Sequence, residues 1–69
     1  DPITRLSDRE LEVFRFIGRG YGAAEIAEML HLSVKTINAY RDHIKEKLNI
    51  PSAADLRRYA VEWISDQEK

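Results

Sequence analysis

The segment Ser33–Leu48 reads SVKTINAYRDHIKEKL. Its serine is a favourable N-cap, because the hydroxyl can accept a hydrogen bond from an otherwise unsatisfied N–H of the first helical turn. Val34, Ile37, Ile44 and Leu48 follow at helical spacing and mark one buried stripe. At about 100° of rotation per residue, Ile37, Ile44 and Leu48 fall within roughly 20° of a single axis. The opposite arc carries Lys35, Asn38, Ala39 and Asp42, with Glu46 toward its far end. A helix is therefore predicted over 33–48, apolar behind and polar, small and mixed in donors and acceptors in front. Such a front is ordinarily just a solvated face, so its meaning depends on what precedes it.

What precedes it is a second, shorter helix over 23–30, with Ile26, Ala27 and Leu30 inward and Glu25 and Glu28 outward. His31-Leu32-Ser33 leaves only a three-residue turn between the two helices. Two helices joined so tightly, the first with a small inward Ala27 where the axes must approach, form a helix-turn-helix. A bulky residue at position 27 would overpack that crossing.

Working outward, Gly18, Gly20 and Gly22 are clustered at the end of an earlier helix. A glycine-rich loop can cradle phosphate, but that use needs a preceding strand and a Gly-Lys-Ser/Thr or dinucleotide signature. Here a helix precedes and Ala23-Ala24 follow, so the glycines read as a C-cap and turn. That first helix spans about Asp8 to Gly18 or Arg19. It opens on a capping box, Ser7-Asp8-Arg9-Glu10, and on a Leu6/Leu11 hydrophobic staple. Leu11, Phe14 (or Arg15) and Ile17 or Gly18 are placed inward, with Val13 and Phe16 beside them. Residues 1–6 read as an extended linker tail. Asn49, Ile50 and Pro51 end the third helix, and Ser52 caps a fourth over about 53–65. Leu56, Ala60 and Trp63 form its inner face, with Tyr59 and Ile64 on the edges. Its outer arc carries Ala54, Arg57, Arg58 and Val61, and residues 66–69 read as a frayed end. No strand pattern occurs, so the fold class is all-α with four helices, and residues 7–65 make up the domain.

Composition narrows function further. Sixty-nine residues make one small domain, and the absence of cysteine excludes disulfides and thiolate metal sites. No apolar run reaches membrane length and no signal-peptide pattern opens the chain, so a cytoplasmic protein is expected. The net charge of −1 and pI of about 6.1 argue against a generic polyanion binder. Yet residues 33–50 hold Lys35, Arg41, Lys45 and Lys47 against Asp42 and Glu46, and the segments on either side are net acidic. His31 and His43 lack a third ligand, and Ser7, Ser33 and Ser52 are placed as caps rather than nucleophiles. The carboxylates are scattered over outer faces, so no enzyme, metal or cofactor is expected. The chain opens on Asp1-Pro2 rather than methionine, and it reads as a piece of a longer protein.

These residues carry a family pattern. Leu6-Ser7-x-Arg9-Glu10-x-Glu12-Val13, Glu25-Ile26-Ala27, Ser33-Val34-Lys35-Thr36-Ile37 and Lys47-Leu48 occur in order and at the right spacing. Together they resemble the DNA-binding domain of LuxR/FixJ (NarL-type) transcription factors from Leu6 to about Ile64. The resemblance implies a helix-turn-helix over about 23–42 whose second helix enters the major groove. It places base reading on Asn38, Ala39 and Asp42, with Lys35 and Thr36 near the backbone. Asn38 suits a bidentate pair with adenine, and Ala39 a thymine methyl. Tyr40, Arg41 and Lys45 join Lys35 and Thr36 as candidates for phosphate contact. Tyr40 serves equally well at the core edge, and Lys45 and Lys47 as solubilising charges.

Departures from the family pattern qualify this. Tyr40 stands where many members have histidine, and Asp42 is acidic at a position often basic, suited to accept from cytosine or to repel phosphate. Gly22-Ala23-Ala24 replaces a commonly polar run, leaving bare helix N–H groups to meet phosphate. The resemblance further implies a homodimer through the fourth helix, with Ala54, Arg57, Arg58 and Val61 as its outward candidates. It also implies an N-terminal sensor domain, and Asn38-Ala39-Tyr40-Arg41 looks like the response-regulator branch. Double-stranded DNA is the expected partner, with RNA polymerase as a further candidate. Two other readings remain open at this point. One is the promoter-recognition region of a sigma factor, which lacks the Ser52-capped helix. The other is a protein-interaction module that has kept the fold and lost DNA.

Overall fold

Proline at the second position sets the first feature of the computed structural model, which describes residues 2–67. Its ring fixes φ near the helical value, and Pro2–Arg5 forms one turn of 3-10 helix rather than an extended lead-in. Ile3 is buried in the core, and the Leu6 N–H donates to its carbonyl at 3.1 Å. The segment expected to be a linker tail is thus packed against the domain. A four-residue turn with one apolar side chain is too short for periodicity to reveal.

Four helices follow: α1 (Asp8–Gly18), α2 (Ala23–Leu30), α3 (Val34–Lys47) and α4 (Ala53–Gln67). No strand occurs among the described residues. The all-α, four-helix expectation therefore holds. Three N-caps act as read. Ser7 Oγ accepts from the Glu10 N–H while Glu10 Oε1 accepts from the Ser7 N–H. Ser33 Oγ accepts from the Thr36 N–H, and Ser52 Oγ from the Asp55 N–H. α4 extends to Gln67, past the expected end at Ser65, while the expected fraying of Glu68 and Lys69 lies outside the described residues.

Three helices end by the same device. Gly20, His31 and Asn49 take left-handed φ values of 96°, 57° and 58°. Each reversal lets the next N–H reach back to a carbonyl five residues earlier: Tyr21 to Phe16, Leu32 to Ala27, and Ile50 to Lys45. These are Schellman ends, which satisfy carbonyls left orphaned at the helix C-terminus.

The core joins Val13, Phe14 and Ile17 of α1, Ile26 and Ala27 of α2, Ile37 and Ile44 of α3, and Leu56 and Ala60 of α4. α1 packs against α3 and α4, and α2 against α3. Around Phe14 the rings of Tyr59 and Trp63 stand at 5.9 and 5.5 Å, and the Arg15 guanidinium lies over Trp63. Leu11 and Phe16 are half-buried and Arg15 is exposed, so the inward axis of α1 runs through Glu10, Val13, Phe14 and Ile17 instead. That axis has i, i+3, i+4, i+7 spacing, but it contains a carboxylate that a hydrophobic pattern does not count.

Two further residues exchange places. Ile64 is buried and Trp63 only half-buried, the reverse of the expectation. The cause is Gly18, the last residue of α1, which admits α4 so closely that a Cβ there would stand 2.5 Å from the Ala60 carbonyl oxygen and 2.5 Å from Ile64 Cγ1. Gly18 therefore serves the α1/α4 crossing, while Gly20 makes the turn.

Candidate nucleic-acid interface

α3 is held from behind by Ile37 and Ile44, both fully buried, and from its start by the Ser33 cap. The Ser33 and Thr36 hydroxyls stand 2.9 Å apart, so Thr36 is half-buried and engaged with the cap. Lys35, Asn38, Ala39 and Asp42 are all exposed, on the arc opposite the buried axis. Val34, expected inward, is 44 % exposed. It lies about 60° off the Ile37 axis on a helical wheel, in the first turn where neighbouring helices do not cover it. An exposed apolar side chain at the flank of α3 was thus missed, because both its type and its spacing pointed to the core.

The remaining candidates divide. Tyr40 packs against the core cluster and is half-buried. Arg41 is half-buried at the flank toward α4, and it meets no carboxylate within 4 Å among the described residues. Lys45 Nζ stands 3.2 Å from Asp42 Oδ1, which offsets the acid on this face. Lys47 is not a solubilising charge alone: its Nζ donates to Glu10 Oε1 at 2.6 Å.

The N-terminus of α2 is not bare, since Glu25 Oε1 accepts from the Gly22 N–H at 3.0 Å. A phosphate there would meet a carboxylate already in place. On α4, Ala54, Arg57, Arg58 and Val61 are all exposed. With Arg41, Ala53 and Glu62 they line one shallow groove. Arg58 is tied to Asp55 within its own helix. No group of three or more His, Asp or Glu side chains among the described residues could hold a metal ion. No helix among them is long and apolar enough to cross a membrane.

Residues 4–60 match the family described as "Bacterial regulatory proteins, luxR family". Similar proteins include the oxygen regulatory protein NreC of Staphylococcus carnosus, 51% identical over 61 residues. NreC of Staphylococcus epidermidis and of Staphylococcus aureus are each 49% identical over the same length. The matched segment covers 88% of this chain and 28% of each relative, so the chain spans under a third of their length. No solved structure matches. The chain belongs to the luxR family of bacterial regulatory proteins.

Proposed function

We propose that this luxR-family domain reads double-stranded DNA as the output element of a transcription regulator, with α3 in the major groove. The observation that carries the reading is the front of α3. Four side chains of unlike chemistry, Lys35, Asn38, Ala39 and Asp42, stand exposed together on a helix whose back is fully buried. A rigid helix with an adaptable face is what groove reading requires, because donors and acceptors must meet base edges at fixed positions.

The roles follow from chemistry. Asn38 pairs with adenine N6 and N7, and Ala39 and the exposed Val34 lie against thymine methyls. Lys35 and Lys45 take backbone phosphates and set register. Thr36 and Tyr40, both half-buried, hold the helix and reach phosphate only from its edges. Ala54 and Val61 form the apolar centre of a two-fold α4 contact, with Arg58 at its rim; two copies then address half-sites about one helical turn apart. The names of the staphylococcal relatives, oxygen regulatory proteins, support a regulatory role, and the response-regulator branch with an N-terminal sensor domain is the layout that fits relatives of which this chain covers 28%. The family match and the packed α4 favour this reading over a sigma-factor region.

The test is selection from random duplexes, followed by titration against salt. Asn38→Ala should relax preference at one base position. Lys35→Ala should weaken all duplexes alike and lower the salt slope by about 1. No enriched motif, or an Asn38→Ala variant with unchanged preference and affinity, sinks the reading in favour of a protein-interaction module.

A further inference from the structure

A cleft opens where α3, α4 and the α1–α2 turn meet, lined by Ile17, Gly20, Tyr21, Gly22, Arg41 and Arg57. Two arginines from different helices thus line one small space. Neither meets a carboxylate within 4 Å among the described residues, whereas Arg9, Lys45, Lys47 and Arg58 each do. Two cationic side chains lining one cleft, with no acid paired to either, favour an anion there. Glu25, at the Gly22 edge, is held on the Gly22 amide.

Position on α3 supplies the second argument. Arg41 has Asn38 three residues before it and Lys45 four residues after it, and such residues are surface neighbours on a helix. Ile37, four residues before it, and Ile44, three after it, are its neighbours on the other side, so Arg41 and the cleft lie at the flank between the buried axis and the front of α3. Tyr21 is exposed at its rim. Arginine's planar fork matches a phosphate's oxygens bidentately.

We propose that Arg41 and Arg57 form a seat for one backbone phosphate of the duplex, flanking the bases that α3 reads. This rests on the DNA-binding reading and assigns Arg57 to DNA, not to the two-fold contact. α4 then positions the recognition helix on its site as well as supporting it. The phosphodiester is the occupant because Arg41 stands about one helical turn from both Asn38 and Lys45, so a duplex read by α3 brings its backbone to this flank; a free phosphate has the same oxygens and is the other outcome of the test.

The experiment titrates the 69-residue chain with duplex DNA across salt concentrations. It compares Arg57→Gln, Arg41→Gln, Lys35→Ala and the control Arg9→Gln, and records self-association of each by sedimentation without DNA. Arg57→Gln and Arg41→Gln should each lower the salt slope by about 0.9. Base preference and self-association should stay unchanged, and Arg9→Gln should leave the slope as it was. If Arg57→Gln weakens self-association and leaves the slope intact, Arg57 is an interface residue and the proposal is wrong. If Lys35→Ala lowers the slope and neither arginine variant does, the seat fails while DNA reading stands. If the unmodified chain binds no duplex, both fail. Inorganic phosphate, followed through the arginine Nε–H resonances, is the last arm. Saturation by phosphate, with slopes unchanged in the arginine variants, assigns the cleft to a free anion and overturns the backbone reading.

Discussion

Lys47 Nζ stands 2.6 Å from Glu10 Oε1 and so ties the last turn of α3 to the first turn of α1. The same carboxylate oxygen accepts the Ser7 N–H at 2.8 Å, so one buried acid closes the α1 cap and docks α3. Lys47→Met removes the ammonium and leaves Glu10 buried with part of its partners gone. Loss of a hydrogen bond to a charged group of this kind costs about 1.5–3 kcal/mol. Urea denaturation should report that loss, and a Lys47→Met domain as stable as the parent contradicts it.

The same contact sets an acid limit. Burial pushes the Glu10 carboxyl up, but hydrogen bonds from Lys47, the Ser7 amide and the Ser7 hydroxyl, with the ammonium charge, outweigh it and hold the group below its ordinary value. A carboxyl whose pKa falls on folding binds fewer protons folded than unfolded between its two values. Its contribution is therefore full above the ordinary glutamate range and lost as the pH drops through the folded value. Glu10→Gln should flatten that part of the acid profile of unfolding midpoints. An unchanged acid slope in Glu10→Gln counts against it.

Gly18→Ala should destabilise, contrary to helix propensity. On an exposed helix, alanine gains about 0.5–1 kcal/mol over glycine. Here the added Cβ meets the Ala60 carbonyl oxygen at 2.5 Å and Ile64 Cγ1 at 2.5 Å. Overpacking of this kind costs about 1–3 kcal/mol. Adding Ile64→Val should recover only part of the loss, because the backbone carbonyl cannot step aside. Thermal unfolding of the single and double variants measures both effects.

Helix ends should respond in opposite directions. A side chain in the left-handed region costs about 1–2 kcal/mol, so Gly20→Ala should destabilise by about 1 kcal/mol. His31→Gly should stabilise by up to about 1 kcal/mol, after the larger unfolded-state entropy of glycine is set against the relieved strain. Asn49→Gly should gain less, since asparagine tolerates this conformation. Denaturant midpoints of the three variants give the order directly.

The features legible in the sequence are those that neighbouring residues in the chain settle. Ser7, Ser33 and Ser52 cap their helices through partners three residues away, and Ile37 and Ile44 bury themselves by period alone. The exposed face of Lys35, Asn38, Ala39 and Asp42 followed from the same period. What was missed depends on other elements. Glu10 is buried because Lys47 arrives from 37 residues away. Gly18 is needed where Ala60 comes close, and Ile64 is buried at the same crossing. Ile3 joins the core from a turn too short to show a pattern. Arg41 and Arg57 share a cleft that no spacing along the chain encodes.

Asp42 offers the sharpest test of the α3 front. Its side chain is 72% exposed, and its carboxylate stands 3.2 Å from Lys45 Nζ. Exposed pairs of this kind contribute about 0–1 kcal/mol, so Asp42→Asn should leave folding almost unchanged. Its effect on DNA should be larger and favourable. In the free domain the acid holds Lys45 along the helix; on DNA it faces a polyanion. Removing the charge releases Lys45 to a phosphate, so unrelated duplexes should bind more tightly and the salt slope should steepen by about 1. The rank order of duplex sequences should persist, because the proposed readers Asn38 and Ala39 are untouched. Loss of preference at a single C·G position without a change in slope reverses the assignment. The carboxylate then accepts from cytosine N4, and Asp42 joins Asn38 as a reader instead of restraining Lys45.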